Sequence, residues 1–390
     1  LKVDAIRHNS ATSDAITTAS DGTCTAKLTS VGGSQLSHRN LIINGDYRIA
    51  QRATSSTSNG YQTMDRWYVY AANHSVTVTT AQVAITSGNA YDDGFRKAAK
   101  ISLSGAGTLA NNTEILFYQK IEAQDLANSG WNYKSASSFI TLSFWVKSST
   151  AQAFAAHIRT EDGTAYLYSF TYTVAQANVW QKITKTIPGN SNITINDDNG
   201  SGLRVYVGVP AIGSDYTSGT ADTWVVSSNS TKFPTVPNTW LTAGASTFEL
   251  TGVQFEVGDT ATSFEHRSIG DELARCQRYC EVITHEQSGQ RIALGHSEGN
   301  NVSENFYPTK QVMRAIPTYT FSGSENRRVY ERGAAIPDVS ACIVEYSSTC
   351  YVQFGVTVAA TQLTNGYANV MYWNGAPATP PAKMILSAEL

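Results

Sequence analysis

The sequence predicts an all-β protein: a jelly-roll β-sandwich, a short linking helix, and then a second, smaller β-rich domain. Three observations lead to this fold class. Short runs of alternating apolar and polar residues recur along most of the chain. Only 15% of the 390 residues are charged, and 29 glycines together with many Ser, Thr and Asn residues supply turns between strands. A single stretch, 262–283, has a helical pattern.

The strands of the sandwich are predicted first. The alternation is clearest in "SFITLSFWVKS", where Ile140, Leu142 and Phe144 share one face. Because no helical pattern separates the strands, the sheets are expected to be largely antiparallel, and so many short strands indicate a sandwich or jelly roll. The predicted strands lie near 41–51, 65–71, 75–82, 97–104, 114–122, 138–148, 154–161, 165–174, 179–187, 203–210 and 248–257.

The last of these strands is predicted to contain a bulge. Phe248 and Leu250 face one way, and Val253 and Phe255 resume that face only if one residue is inserted between them. The Thr-Gly step at 251–252 is the expected position of that extra residue.

The helix at 262–283 is expected to be a structural joint. Ser268 can cap it, with Asp271 at the third helical position. Leu273, Cys276, Cys280 and Ile283 form one apolar stripe, in which cysteine behaves as a small hydrophobe. Two thiols at this spacing lack two further metal ligands nearby, so no metal or redox site is predicted.

Four segments are expected from these patterns. Residues 1–40 form a polar leader for oligomerisation or attachment, 41–265 the jelly roll, 266–283 the linking helix, and 284–390 a C-terminal β-rich tip domain. The leader has too little apolar content to order alone, so packing against other chains is expected. The five cysteines are read as free thiols of a protein made in a reducing cytoplasm, although Cys342 and Cys350 could pair across a hairpin.

Composition excludes some classes of function. The net charge of −3 gives no basic surface for nucleic acid, and no apolar run is long enough to insert into a membrane. The paired acids "YDDG", "EDGT" and "NDDNG" have the composition of turns rather than of a catalytic carboxylate pair. No nucleophile and base are spaced for catalysis, so no enzyme activity, catalytic residue or cofactor is predicted.

The motifs "NLIINGDYRIAQR…TMDRWYVY" and "GVQFEVGDTATSFEHRSIGDELARCQRYCEVI" resemble tail-fibre and related adhesion proteins of tailed bacteriophages, particularly marine and cyanobacterial ones. Residues 41–265 also resemble galactose-binding-like jelly rolls of the carbohydrate-binding-module type. The resemblance implies a homotrimer in the virion tail, joined to other virion proteins through its N-terminus. It also makes Asp46 and Glu256 candidates for a structural calcium, although capping of a turn is the favoured explanation of Asp46.

Sugar sites use aromatic rings that stack on a pyranose face, and such rings are expected in loops away from alternating core positions. Five residues meet this description and are the predicted ligand contacts: Trp131, Tyr133, Tyr91, Tyr372 and Trp373.

Three functions remain open at this point. The first is a non-catalytic attachment protein that binds a host surface glycan or other receptor. The second is a structural virion component, such as a capsid decoration or connector protein. The third is a polysaccharide depolymerase, although no long internal repeat of the β-helix type is present.

Overall fold

The computed structural model describes residues 5–7, 16–18, 20, 24–26, 38–322, 327–331, 334–359 and 362–390. The structure is all-β, as predicted, but within these ranges it contains three short helices besides the predicted one. The helices are α1 (Asn89–Asp92), α2 (Ala123–Ala127), α3 (Thr239–Thr242) and α4 (Ile269–Gln277), with a 3₁₀ turn at Ser214–Tyr216. The strands are β1 (Ala5–Ile6), β2 (Ile16–Thr18), β3 (Cys24–Ala26), β4 (Ser55–Ser56), β5 (Trp67–Ala72), β6 (Val78–Ala84), β7 (Lys97–Leu103), β8 (Glu114–Glu122), β9 (Phe139–Ser148), β10 (Gln152–Thr160), β11 (Tyr166–Val174), β12 (Gln181–Pro188), β13 (Ser201–Ile212), β14 (Trp224–Val226), β15 (Thr247–Val257), β16 (Cys280–Thr284), β17 (Arg291–Ser297), β18 (Val302–Pro308), β19 (Thr318–Ser322), β20 (Arg327–Glu331), β21 (Ala334–Ser347), β22 (Tyr351–Val358), β23 (Ala368–Trp373) and β24 (Lys383–Ser387).

Two six-stranded sheets form the sandwich. The front sheet has the order β14-β11-β10-β13-β8-β5, and the back sheet has the order β12-β9-β15-β7-β6-β4. Alternate residues of both sheets meet in one apolar core, as the predicted strand alternation requires. Ile140, Leu142 and Phe144 are fully buried there, which confirms the face assigned to them.

The predicted bulge in β15 is confirmed. The register between β15 and β9 shifts between Thr251 and Gln254. Gly252 has a φ of 62°, and a side chain at this position would collide with the ring of Phe95. Glycine is therefore required for two reasons, the left-handed backbone and the close approach of Phe95.

The strand predicted at 41–51 is wrong, because this segment is an irregular loop. The side chain of Asn44 organises it: the amide group donates to the carbonyl oxygens of Ile49 at 2.8 Å and Asp65 at 3.0 Å, and its oxygen accepts from the backbone NH of Ile49 at 3.0 Å. Asn44 and Tyr47 both have a φ of 57°. Local side-chain hydrogen bonds have replaced a strand ladder here.

The linking helix begins where the sequence predicts and ends earlier. The hydroxyl of Ser268 accepts a hydrogen bond from the backbone NH of Asp271 at 3.1 Å, which confirms the cap. The helix ends at Gln277, and Cys280 begins β16, which pairs with β24. The apolar stripe predicted for one helix is therefore divided between α4, which contains Leu273 and Cys276, and β16, which contains Cys280 and Ile283. The second pair forms a strand because it is hydrogen-bonded to β24, about a hundred residues later. Cys276 packs with Ile43, Ile49 and Tyr279.

The C-terminal unit contains a closed barrel and a small sheet. The barrel has the strand order β17-β18-β22-β21-β20-β23, and the sheet has the order β16-β24-β19. Both contribute to one apolar cluster, which includes Phe354, Met371, Trp373, Met384 and Leu386. Closure of the barrel leaves it without open sheet edges.

Three further features bear on the expectations from sequence. In the leader, β1, β2 and β3 form a small antiparallel sheet, and most of the remaining leader residues lie outside the described ranges. Cys276, Cys280, Cys342 and Cys350 are free thiols. In the part of the chain that the structure describes, every helix is too short or too polar to cross a bilayer.

Candidate ligand-binding groove

A row of aromatic side chains crosses the outer face of the front sheet. Tyr68 on β5 lies directly opposite Tyr118 on β8, Tyr118 opposite Tyr206 on β13, and Tyr206 opposite His157 on β10. Strand periodicity places these four residues on the outer face of the sheet, because their neighbours, such as Trp67, face the sandwich core. Tyr68 is half-buried on that face, and the other three are buried. We call Tyr68, Tyr118, Tyr206 and His157 the aromatic row.

The rings of the aromatic row contact one another in sequence. The ring centroids of Tyr68 and Tyr118 are 5.0 Å apart and stacked, those of Tyr118 and Tyr206 are 4.5 Å apart, and those of Tyr206 and His157 are 4.1 Å apart. At one end Phe233 stacks on His157 at 4.5 Å. Such pairs hold each ring in a defined orientation. The row is a prearranged aromatic surface.

A pocket of about 510 Å³ lies over this row. Its floor is the front sheet, and one wall is the loop 227–233, which follows β14 and crosses the sheet. The lining combines aromatic, charged and hydroxyl-bearing side chains: Tyr68, Tyr70, Glu114, Leu116, Tyr118, His157, Arg159, Arg204, Tyr206, Ser227, Ser228, Asn229, Lys232 and Phe233. The volume is in the range of small-ligand sites.

His157 holds the loop wall in place. Its Nδ1 donates to the carbonyl oxygen of Lys232 at 3.0 Å, since a carbonyl can only accept, and the hydroxyl of Ser169 donates to the same oxygen at 2.7 Å. Burial lowers the pKa of His157 to about 3, so the ring is neutral at physiological pH. The floor and the wall of the pocket are thus joined by hydrogen bonds.

The charged residues of the pocket are paired. Arg204 donates to Glu161 at 2.7 Å, and Arg159 contacts the other oxygen of Glu161 at 3.2 Å. Lys232 pairs with Glu114 at 2.8 Å. Each of these two carboxylates therefore has at least one cation as its partner.

The hydroxyls of Tyr118 and Tyr206 remain protonated. Burial raises the pKa of Tyr118, and the neighbouring Tyr206 raises it further; burial also raises the pKa of Tyr206. Protonated phenols can donate and accept hydrogen bonds. Flat rings, hydroxyl groups and paired charges suit the binding of a polyhydroxylated ligand.

The five ligand contacts predicted from sequence lie outside this pocket. Trp131 is only 3% exposed and belongs to the sandwich core, with the half-buried Tyr133 edge-on to it at 6.2 Å. The expectation that Trp131 projects from a loop is wrong, because the loop folds its ring inward. Tyr133 donates to the carbonyl oxygen of Ile195 at 3.4 Å.

Tyr372 and Trp373 are also expected from the sequence to lie in a loop, but the structure places both in a strand. Both end β23, where they are 6% and 1% exposed, and Trp373 stacks on His285 at 5.2 Å. Tyr91 lies half-buried on α1 beneath the guanidinium of Arg96, 3.7 Å from its ring centre. None of the five lines the pocket. Ligand contact by these residues stays a prediction.

The two weak calcium candidates have protein partners. Asp46 pairs with Arg48, and Glu256 accepts hydrogen bonds from the backbone NH of Thr262 at 2.8 Å and from its hydroxyl at 2.7 Å. These contacts give each carboxylate a structural role in its own loop.

Sequence reasoning missed the aromatic row because it sought exposed rings in loops. A usable signal was present in "WYVY" at 67–70, where aromatic residues occupy both faces of one strand. A strand with a single buried face is expected to alternate apolar with polar residues. Aromatic residues on both faces of this strand therefore indicate that its outer face is covered as well.

Neither a family model nor a curated protein matches this chain. Several solved structures show a low level of similarity to parts of this chain. The enzymatically active domain of bacteriophage CBA120 tailspike protein 4 is 12% identical, with a TM-score of 0.30, and the match covers 56% of this chain and 21% of that one. This chain therefore spans about a fifth of the tailspike domain's length.

Two further structures show the same level of likeness. The family 11 carbohydrate-binding module from Clostridium thermocellum, solved with a mixed-linked tetrasaccharide, is 11% identical with a TM-score of 0.24, over 53% of this chain and 98% of that one. Discoidin II of Dictyostelium discoideum is 8% identical with a TM-score of 0.15, over 79% and 95%. At these scores the likenesses do not define what this chain binds.

Proposed function

We propose that the protein is a non-catalytic attachment protein that binds a carbohydrate in the pocket over the aromatic row. The aromatic row is the observation that carries this proposal. Sugar rings present apolar CH faces that stack on aromatic rings, and hydroxyl groups that need donors and acceptors nearby. The row provides the rings, and the phenols, with Ser227, Ser228 and Asn229, provide the polar groups.

The finer identity is a tail fibre of a tailed bacteriophage, present in the virion and directed at a host surface glycan. The resemblance of "NLIINGDYRIAQR" and "FEHRSIGDELARCQRYC" to such fibres supports this part of the proposal. On the same resemblance the chain acts as a homotrimer, and its leader joins it to other tail proteins. The lining of the pocket contains one carboxylate, Glu114, whereas glycoside hydrolysis usually uses two, which supports a binding role.

The test of carbohydrate binding is a glycan array probed with the full chain, followed by calorimetry with the best-binding oligosaccharide. Tyr68→Ala and Tyr118→Ala are expected to weaken binding about tenfold or more, since each removes a stacking ring. Tyr346→Ala is the matched control, because Tyr346 is 69% exposed on the barrel, away from the pocket. Thermal unfolding confirms that each variant folds.

Two results would contradict the proposal. One is undiminished binding in both row variants, and the other is the absence of any glycan ligand across an array that includes host envelope polysaccharide. The trimer is tested separately by light scattering of the full chain at micromolar concentration, where a monomer would overturn it. Release of reducing sugar from a bound polysaccharide would replace attachment with depolymerisation.

A further inference from the structure

The hairpin of β17 and β18 gathers three metal-ligating side chains on the outside of the barrel. His296 on β17 lies directly opposite Glu304 on β18. Glu298 follows His296 by two residues, which returns it to the same side of the hairpin. One ligand atom from each of the three side chains lies within 4.8 Å of the other two. This separation allows a single ion to contact all three.

The electrostatics of the hairpin favour a cation. Burial raises the pKa of Glu304, and the nearby charges of Glu298 and Glu345 raise it further, while His296 lowers it. Carboxylates this close oppose one another's ionisation. A bound cation would relieve this repulsion between the carboxylates.

A glycine on the next strand brings Glu345 to the same surface. Gly355 on β22 lies directly opposite Glu304, and a Cβ at 355 would collide with the carboxylate of Glu345. The carboxylate of Glu345 therefore occupies the space that a side chain at 355 would fill. The barrel surface beside Glu304 thus holds a further oxygen donor close to the three-residue cluster.

We propose that His296, Glu298 and Glu304 bind one divalent first-row transition-metal ion of the zinc type. One imidazole with two carboxylates is a donor set suited to such ions, and three protein ligands leave a position for water or for a ligand group. Sequence spacing alone did not reveal the site, because Glu304 reaches it only through the pairing of β17 with β18. The proposal is independent of the carbohydrate pocket on the front sheet.

The experiment is calorimetric titration of the full chain with zinc chloride at pH 7.5. A Cys350→Ser background removes the exposed thiol, which would otherwise bind zinc itself. One equivalent of zinc is expected to bind. His296→Ala and Glu304→Gln are each expected to weaken binding about tenfold or more, since ligand geometry sets affinity. Glu286→Gln, at an exposed position before β17, is the matched control.

Two further measurements distinguish a specific metal site from non-specific attraction of cations by acidic side chains. Gly355→Ala is expected to weaken zinc binding by displacing the carboxylate of Glu345 from beside Glu304. Calcium chloride, titrated in parallel, is expected to bind more weakly because calcium prefers six or more oxygen ligands. Absence of zinc binding at pH 7.5, or equal affinity in His296→Ala and the parent, would overturn the proposal.

Discussion

The guanidinium of Arg66 lies 3.4 Å from the centre of the Tyr279 ring and pairs with Glu389 at the far end of the chain. Arg66 is 1% exposed and also donates to the carbonyl oxygen of Lys120 at 2.7 Å. Tyr279 donates to Glu122, which accepts two bonds from Arg278 at 2.8 and 2.9 Å. A buried polar network therefore joins the sandwich, the residues after α4 and the C-terminus.

Loss of Arg66 is expected to destabilise the whole chain. Arg66→Met leaves Glu389 buried with only Arg52, whose Nη1 lies 3.2 Å from it. Removing one partner of a buried ion pair typically costs about 3–5 kcal/mol of unfolding free energy, and the remaining partner places this case near the lower end. Chemical denaturation measures the change.

The matched control for this prediction is the double variant Arg66→Met with Glu389→Leu. It is expected to recover part of the loss, because no unpaired carboxylate then stays buried. Equal loss in the single and double variants would show that the Arg66 ring contact and backbone bond, rather than the ion pair, carry the effect.

Neutral His157 predicts a specific pH dependence of stability. The unfolded residue has a pKa of about 6.5, whereas burial holds the folded pKa at about 3. Between these pH values the unfolded state binds a proton that the folded state does not. The unfolding free energy therefore decreases as the pH falls from 6.5 towards 3.

His157→Gln, which keeps a donor for the carbonyl of Lys232, is expected to show a flatter dependence on pH than the parent. Urea denaturation at pH 7.5, 6, 5 and 4 gives the difference between the two chains, so other titrating groups cancel. Parallel curves would mean that His157 becomes charged in the folded protein.

The thiols are expected to differ in reactivity. Burial raises the pKa of Cys276 and of Cys280, whereas Cys350 is exposed. Because the thiolate is the reactive form, iodoacetamide at pH 8 is expected to modify Cys350 well before the other two. Peptide mass spectrometry with and without urea measures this. Rapid labelling of Cys276 in the native chain would show that the packing of α4 against Ile43 and Ile49 opens.

Replacement of Trp131 is expected to lower the stability of the chain and not to change its affinity for carbohydrate directly. Truncation of a buried tryptophan typically costs about 3–5 kcal/mol, since it leaves a cavity. Trp131→Ala should therefore lower the unfolding free energy by that order, while Trp131→Phe loses less and keeps carbohydrate affinity. A Trp131→Phe chain that unfolds like the parent yet no longer binds glycan would restore the direct ligand contact predicted from sequence.

Much of the fold follows from local pattern. Alternation at Ile140, Leu142 and Phe144 predicts a strand with one buried face, the Thr-Gly step predicts the bulge of β15, and Ser268 predicts the start of α4. The sequence signals for these features lie within a few positions of one another, so the sequence by itself determined where they occur.

Long-range pairing decided the rest. Cys280 begins a strand rather than extending α4 because β24, about a hundred residues later, supplies its hydrogen bonds. The aromatic row exists because four strands from distant parts of the chain align Tyr68, Tyr118, Tyr206 and His157 in one register. The spacing of residues within each strand does not predict that alignment, because the free energy that sets the register between strands comes from burial across the whole sandwich.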